Sequence, residues 1–303
     1  MYESFFGFEE KPFSLLPDPA FLFLSPKHQK ALTMLQFGMM NQAGFTVITG
    51  DVGSGKTTLI RQLLAETSDD VTVGLVSNTH RNFGELLQWV LLAFNLEYRD
   101  KKKVELYQTL ADFIVKEYND DRRTVLIIDE AQNLDVDALE ELRMMSNINA
   151  DKDQVLQLIL VGQPHLRETL RQPELHQFAQ RIAVDYNLTT LTLEETWQYI
   201  RHRLKVAGGD PNLFDTKACA AVYYYTAGTP RLINSLCEQS LVVGFAEQRK
   251  RIDVDIVCDV VRERQKGGVF PVHDPQGRLD SGIAKDLSIV KDLSAVRKET
   301  KEG

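Results

Sequence analysis

The stretch Gly50-Asp51-Val52-Gly53-Ser54-Gly55-Lys56-Thr57 combines glycines, a lysine and a hydroxyl at a spacing suited to phosphate. Glycines let consecutive backbone N–H groups turn inward around phosphate oxygens, where a Cβ would crowd the loop. Lys56 is placed to bring a point charge to the β and γ phosphates, and the Thr57 hydroxyl to ligate Mg²⁺. Thr58 falls in the same binding stretch. Two acids, Asp129 and Glu130, close a later apolar run, Val125-Leu126-Ile127-Ile128. Beside a phosphate loop, such a pair is what hydrolysis of Mg·ATP needs. Asp129 is expected to hold Mg²⁺, directly or through water, and Glu130 to orient and polarise the attacking water. Gln163 emerges from another apolar run, Leu158-Ile159-Leu160-Val161-Gly162, where it is expected to meet the γ-phosphate or the lytic water. Arg181, in Gln180-Arg181-Ile182, is the expected cation for a neighbouring subunit's γ-phosphate, with Arg171 as its rival. Arg231 follows Gly228-Thr229-Pro230 at the start of a helical pattern and is expected to turn back onto the bound phosphates.

The elements that must position these groups are readable from periodicity. An apolar, β-branched run at 45–48 leads into the loop, and a helical pattern at 56–66 leaves it, with Leu59, Ile60, Leu63 and Leu64 on one face. That helix points its positive end at the phosphates. Further strands are expected at 71–76, 124–128 and 155–161, and helices at 26–40, 82–94, 104–118 and 135–148. The alternation predicts a parallel α/β sheet, and the unbroken apolar run at 124–128 suits a sheet covered on both faces. Ligands of such sheets bind outside the carboxyl ends of the strands, where both acids fall. After Asp185 helices take over, at 193–207, 216–226, 230–247 and 254–264. The first 25 residues crowd Phe5, Phe6, Phe8, Phe13, Phe21 and Phe23 among Pro12, Pro17 and Pro19, which breaks any single helix and reads as a strap on the main domain. From Gln265 the pattern fades into linker and turns, with KDLS occurring at 285–288 and again at 291–294 in a mobile tail.

Composition sets the class. Of 303 residues, 43% are hydrophobic and 26% charged, as in globular proteins. A formal charge of -8 argues against a broad nucleic-acid coat while leaving room for a local basic stripe. The run at 101–103 and Arg249-Lys250-Arg251 are the local hints of one. Cys219, Cys237 and Cys258 stand too far apart for a metal knuckle or redox pair and are expected to be reduced core residues. No signal peptide is expected, because acids interrupt the start, and no apolar run reaches the length of about 18 residues that a membrane helix requires.

Joined, these motifs resemble the AAA+ superfamily, in its branch of origin-recognition, transposition-regulator and secretion ATPases. The likeness is strongest to the ExeA-type general-secretion ATPases and their relatives near exosortase, exopolysaccharide and pilus loci. It covers roughly residues 1–265. It includes Tyr2-Glu3-Ser4-Phe5-Phe6-Gly7-Phe8, Pro12-Phe13, Pro17-Asp18-Pro19, Phe21-Leu22-Phe23 and Gly44-Phe45. Further along it includes Asp129-Glu130-Ala131-Gln132-Asn133-Leu134, Gly162-Gln163-Pro164, Gln180-Arg181-Ile182 and Gly228-Thr229-Pro230-Arg231. The resemblance implies a P-loop NTPase, with an AAA+ RecA-like parallel sheet sandwiched by helices and followed by a small all-helical lid. The implied division is a strap at 1–25, the ATPase core at 26–188, the lid at 189–265 and a tail at 266–303. Lys56 and Thr57 match the Walker A positions, Asp129 and Glu130 the Walker B positions, Arg181 the arginine-finger region and Arg231 sensor 2. Gln163 falls at sensor 1, where such ATPases often carry Asn, Ser or Thr.

The resemblance also implies ATP and Mg²⁺ as cofactors and a homo-oligomer, as a hexamer or alternatively a helical filament. It implies a membrane-associated secretion or export partner. Membrane-anchored members continue into a transmembrane helix and a periplasmic peptidoglycan-binding domain. This chain is expected to be the short cytoplasmic form, without direct membrane insertion, held at the inner membrane through its partner. One alternative is an ATP-dependent regulator of transposition that forms rings or filaments on DNA. Another is a slow nucleotide-switched scaffold, against which Glu130 argues.

Overall fold

Four of the apolar runs and one weakly patterned segment pair into one parallel sheet. The computed structural model describes residues 1–16, 18–41, 44–77, 85–150 and 153–267. Its strands are β1 (Phe45–Gly50), β2 (Val71–Val76), β3 (Arg123–Ile128), a short antiparallel pair β4 (Asn149–Ala150) and β5 (Asp153–Gln154), β6 (Leu156–Gly162) and β7 (Ile182–Leu188). The five-stranded sheet runs β2-β3-β6-β1-β7, with every neighbour parallel. Every residue of β1 and β6 is buried, so both faces of the sheet's centre are covered.

The chain starts with a short helix, α1 (Glu3–Phe6), and the sheet's own helices follow. On one face α2 (Pro26–Met40) and α3 (Lys56–Glu66) bring Leu32, Leu35, Leu59 and Leu63 against Val125, Ile127, Ile159 and Val161. On the other, α4 (Leu86–Ala93), α5 (Lys103–Asn119) and α6 (Val136–Met145) bring Leu87, Leu110 and Leu142 against Leu126, Ile128, Leu158 and Leu160. Alternate residues of one strand thus feed two separate cores, as the period of two requires. Each such side chain contributes about 1.5–3 kcal/mol by leaving water. Two short helices, α7 (His165–Leu170) and α8 (His176–Ala179), connect β6 to β7.

The described chain divides into two compact units. The sheet unit comprises Pro26–Val52 and Lys56–Thr189. The other comprises Met1–Ser25, Gly53–Gly55 and the residues from Thr190 onward. In it lie α9 (Leu193–Val206), α10 (Thr216–Thr226), α11 (Pro230–Ala246) and α12 (Val254–Gly267). Helix α9 opens with a capping box. The Thr192 side chain accepts from Glu195 N at 3.2 Å, and Glu195 Oε2 accepts from Thr192 N at 2.8 Å.

The aromatic opening segment belongs to this helical unit rather than to the sheet, which corrects the expectation of a strap on the main domain. The physical reason is that its rings complete the helical core: Tyr2, Phe8, Phe13 and Phe21 are buried with Leu204, Ile233, Leu236 and Ile252. Arg203 ties the segment down. This buried guanidinium donates to the Pro12 carbonyl, donates to Tyr199 Oη at 3.0 Å and lies 4.7 Å over the Phe21 ring.

Most elements fall where periodicity places them. Strand β7 does not, because Asp185 and Asn187 interrupt its apolar pattern and only Val184 and Leu188 of its residues are buried at this sheet edge. Helix α12 continues to Gly267, beyond its expected end. The expected helix start at 82–84, Pro17 and the tail from 268 lie outside the described residues. The three cysteines are free and buried, and burial pushes the Cys219 thiol up to about 12. Among the described residues no helix is long and apolar enough to cross a membrane.

Two glycines with positive φ separate conformational strain from crowding. Gly228 has φ +70°, and a Cβ there would stand 1.9 Å from the Leu191 carbonyl oxygen. Gly7 has φ +77° with nothing within 4 Å of an added Cβ. Gly7→Ala should cost about 1–2 kcal/mol through its backbone alone. Gly228→Ala should cost roughly 3 kcal/mol or more, because carbonyl and Cβ cannot share that space. Urea unfolding of the two variants measures the difference.

Candidate active site

The sheet register fixes where polar groups emerge. Thr49 pairs with Gly162 and Ile128 with Leu160, so β1, β3 and β6 end side by side at their carboxyl ends. Asp129 continues the ladder by one bond, from its N–H to the Val76 carbonyl at 2.9 Å. Past those ends the chain leaves the apolar cores, and the expected functional residues begin.

The loop after β1 turns through Gly53 at φ +78° and Gly55 at φ +101°, angles that side-chain-bearing residues rarely adopt. Helix α3 then starts at Lys56. Lys56 is 6% exposed, and its ammonium donates to the carbonyls of Gly50 at 2.8 Å and Asp51 at 2.9 Å. The side chain therefore folds back over its own loop. Burial pulls its pKa below the usual lysine value, while the carboxylates of Glu130, Asp129 and Asp51 oppose that shift.

Thr57 Oγ1 donates to Asp129 Oδ2 at 3.1 Å, joining the loop helix to the end of β3. Asp129 is also 6% exposed, and burial pushes its pKa above the usual carboxylate value. Hydrogen bonds from the Glu130 N–H, 2.9 Å from Oδ1, and from Thr57 act in the opposite sense. The two oxygens fit Mg²⁺. They are hard donors, and Mg²⁺ characteristically takes one or two carboxylates and completes its shell with water and substrate phosphates. Among the described residues no group of three or more His, Cys, Asp or Glu stands ready to hold a metal alone, so phosphate and water would supply the remaining ligands.

Glu130 sits in the left-handed region, at φ +55°. Its backbone ends β3 and starts a single 3₁₀ turn, Ala131–Asn133. Within that turn Gln132 donates from Nε2 to Glu130 Oε2, and its Oε1 accepts from the Gln163 N–H at 2.9 Å. The structure thus brings Lys56, Thr57, Asp129, Glu130 and Gln163 to one edge of the sheet. Gln132 is the member that sequence reasoning missed. A signal existed: an amide two residues after an acid can both donate to it and accept from another backbone group.

The three expected arginines lie on other elements, and the Arg231 N–H donates to the Gly53 carbonyl of the glycine loop at 3.3 Å. Arg181 is half-buried at the start of β7, with Nη1 donating to Ser146 Oγ at 2.8 Å. Arg171 is exposed at the end of α7. Arg231 is exposed at the start of α11, in the helical unit.

Residues 39–170 match the family described as AAA domain. Over 253 residues the chain is 37% identical to general secretion pathway protein A of Aeromonas hydrophila, an alignment covering 83% of this chain and 46% of that protein. The chain therefore spans less than half the length of this relative. Among solved structures, the Aeropyrum pernix ORC2 protein superposes with a TM-score of 0.66 at 16% identity, over 87% of this chain and 74% of that one. Cdc6p of Pyrobaculum aerophilum gives 0.65 at 17% identity, over 82% and 71%. A Walker-type ATPase of Pyrococcus abyssi gives 0.57 at 16% identity, over 96% and 81%. At these identities the structural likeness is one of fold.

The Thr57–Asp129 pair generates a metal-specific expectation. Asp129→Asn keeps the size of the side chain and an oxygen to accept from Thr57, and removes the charge. Titration of a fluorescent ATP analogue in Mg²⁺ and in EDTA should show that Mg²⁺ tightens binding to the native chain. The same comparison in the variant should lose most of that gain while metal-free binding changes little.

Proposed function

The chain is an AAA+ ATPase homologue similar to general secretion pathway protein A, and from that premise we propose that it binds Mg·ATP, hydrolyses it as an oligomer and couples turnover to a bacterial secretion, pilus or exopolysaccharide-export system. The observation that carries the reading is the Thr57 hydroxyl 3.1 Å from Asp129, between the glycine loop and Glu130. In this reading Lys56 exchanges its bonds to the Gly50 and Asp51 carbonyls for bonds to phosphate oxygens. Thr57 and Asp129 would hold Mg²⁺, which would supply charge neutralisation to the phosphates. Glu130 orients a water and takes its proton. Gln163 faces the γ-phosphate or that water, and Arg231 reports nucleotide state to the helical unit. The place of action is the cytoplasm, beside the inner membrane through a partner.

The DNA-regulator reading draws little support from the basic stretches. Lys103 pairs with Glu141 at 3.0 Å, and Lys101 donates to Thr109 at 2.9 Å. Arg249 pairs with Asp253, and Lys250 lies 3.5 Å from the centre of the Phe5 ring. These cations face the chain's own groups. Turnover stimulated by double-stranded DNA, and fading steeply with salt, is the outcome that would favour the regulator instead.

Two substitutions divide binding from chemistry. Lys56→Ala should weaken Mg·ATP roughly tenfold or more, the loss of charge-assisted hydrogen bonds worth about 1.5–3 kcal/mol. Glu130→Gln should bind Mg·ATP normally and lose turnover by about a hundredfold or more, since an amide is a poor base. Calorimetry and phosphate release measure the two. Equal loss of affinity in both variants would count against this division of roles.

Assembly supplies the remaining cation. In the proposed oligomer, a hexamer or alternatively a helical filament, Arg181 leaves Ser146 and reaches the neighbour's γ-phosphate. ATP then becomes part of the subunit contact and should favour assembly over ADP by linkage. Mixing Arg181→Ala subunits with Glu130→Gln subunits should restore turnover at interfaces that join an intact Glu130 to an intact Arg181. The ATPase rate is followed across mixing ratios, with co-assembly confirmed by mass photometry. No rescue at any ratio would transfer the role to the exposed Arg171.

A further inference from the structure

Gln132 is an amide with a donor and an acceptor on opposite jobs. It is 6% exposed, in the 3₁₀ turn that follows Glu130. Its Oε1 accepts from the Gln163 N–H at 2.9 Å, and its Nε2 donates to Glu130 Oε2. Chemistry allows only this orientation of the amide. A backbone N–H can only donate, so the oxygen must face Gln163. A carboxylate accepts, so the nitrogen must face Glu130. Rotating the side chain would break both bonds at once and turn like groups toward each other.

The neighbouring backbone leaves room for this side chain. A Cβ on Gly162 would stand 3.0 Å from Gln132 Oε1, 3.2 Å from Gln132 N and 2.9 Å from Leu166 Cδ2. Glycine at the last position of β6 therefore lets the amide pass close to the strand end. Glu130, for its part, has its backbone fixed by the strand end and the turn, at φ +55°. Its remaining freedom is in the side chain, and the bond from Gln132 removes part of it.

We propose that Gln132 is a positioning residue that ties the end of β6 to the Glu130 carboxylate, so that the group meeting the γ-phosphate and the group activating water are held in one geometry. The proposal rests on the ATPase reading given above. A displacement of β6 at Gln163 is passed to Glu130 through one amide. The acid is then in its working position only when the strand end is.

Two variants separate the bonds. Gln132→Leu is close in size and removes both. Gln132→Glu keeps an acceptor for the Gln163 N–H but replaces the donor facing Glu130 with a like charge. Hydrogen exchange at the Gln163 amide in the nucleotide-free protein reads the first bond without any turnover. It should quicken about fivefold or more in Gln132→Leu, as expected for one lost hydrogen bond, and stay slow in Gln132→Glu. Steady-state kinetics read the second. Both variants should lose kcat by roughly tenfold to a hundredfold, the effect of a misplaced reacting group, with KM for Mg·ATP within about twofold of native. If Gln132→Leu fails to melt cooperatively, Gln132→Glu carries the kinetic test alone, and a kcat within about twofold of native then overturns the proposal. Unchanged exchange in a folded Gln132→Leu overturns it as well. Faster exchange with native kcat also overturns it, leaving a bond of purely structural value. A native chain without ATP turnover would retire the ATPase reading and this role with it. A loss confined to the Gln132 variants, beside an active native chain, supports the proposal.

Discussion

A strand buried on both faces can place a charge only at its end. Strands β1 and β6 are buried along their whole lengths, and β3 is buried from Thr124 onward. Because they run parallel and in register, their carboxyl ends coincide, and the polar residues that follow them are forced together. The glycine loop, Asp129 with Glu130, and Gln163 are each the first residues past a strand that tolerates no charge. Clustering these groups also sets their electrostatics. Lys56 and Asp129 are both pushed toward their neutral forms by burial; neighbouring carboxylates hold Lys56 toward its charged form, and the Glu130 N–H, the Thr57 hydroxyl and the Lys56 charge hold Asp129 toward its own. An ammonium with two carbonyl partners and a carboxylate with a hydroxyl and an N–H are satisfied before any ligand arrives.

The helical unit solves a different packing problem. Its four long helices alone would leave an apolar surface uncovered, and the opening segment of the chain covers it with rings. Phe13 packs edge-on to Phe214 with centroids 5.9 Å apart, and Phe23 does the same to Tyr199 at 5.8 Å. Past the short α1, Pro12 and Pro19 keep this segment from continuing as a helix, so the Pro12 carbonyl is left for a donor. Arg203 is that donor, and its cation is stabilised by the ring of Phe21 as well as by the Pro12 carbonyl. A residue near the beginning of the chain and a helix far along it are thereby parts of one core.

Much of this was legible in the sequence where the signal is local. The bounds of α2, α3, β2 and α10 coincide with those read from apolar spacing, because each has a clear face and a clear stop. The glycine loop and the paired acids stood out because each occupies a few consecutive residues at a strand end. Non-local facts were not. Strand β7 alternates weakly around Asp185 and Asn187, and its membership of the sheet depends on β1 beside it. The aromatic segment announced that it would be buried but not in which core. The bond of Arg181 to Ser146 and the bridge through Gln132 depend on side-chain rotamers between segments distant in sequence or turned back on themselves. No periodicity encodes either.

The backbone of Glu130 has a bearing on how this chain can drift. A left-handed conformation suits Gly and Asn and works against a residue carrying a long side chain, by about 1–2 kcal/mol. Replacement by Gly or Asn would therefore relax the turn while deleting the carboxylate. Selection for folding alone pulls this position away from Glu, and only selection for the acid holds it there. Relatives freed from that second demand should shed the acid early and keep the fold, so Gly or Asn aligned with Glu130, beside an intact glycine loop, would mark a lineage that still grips its ligand without consuming it.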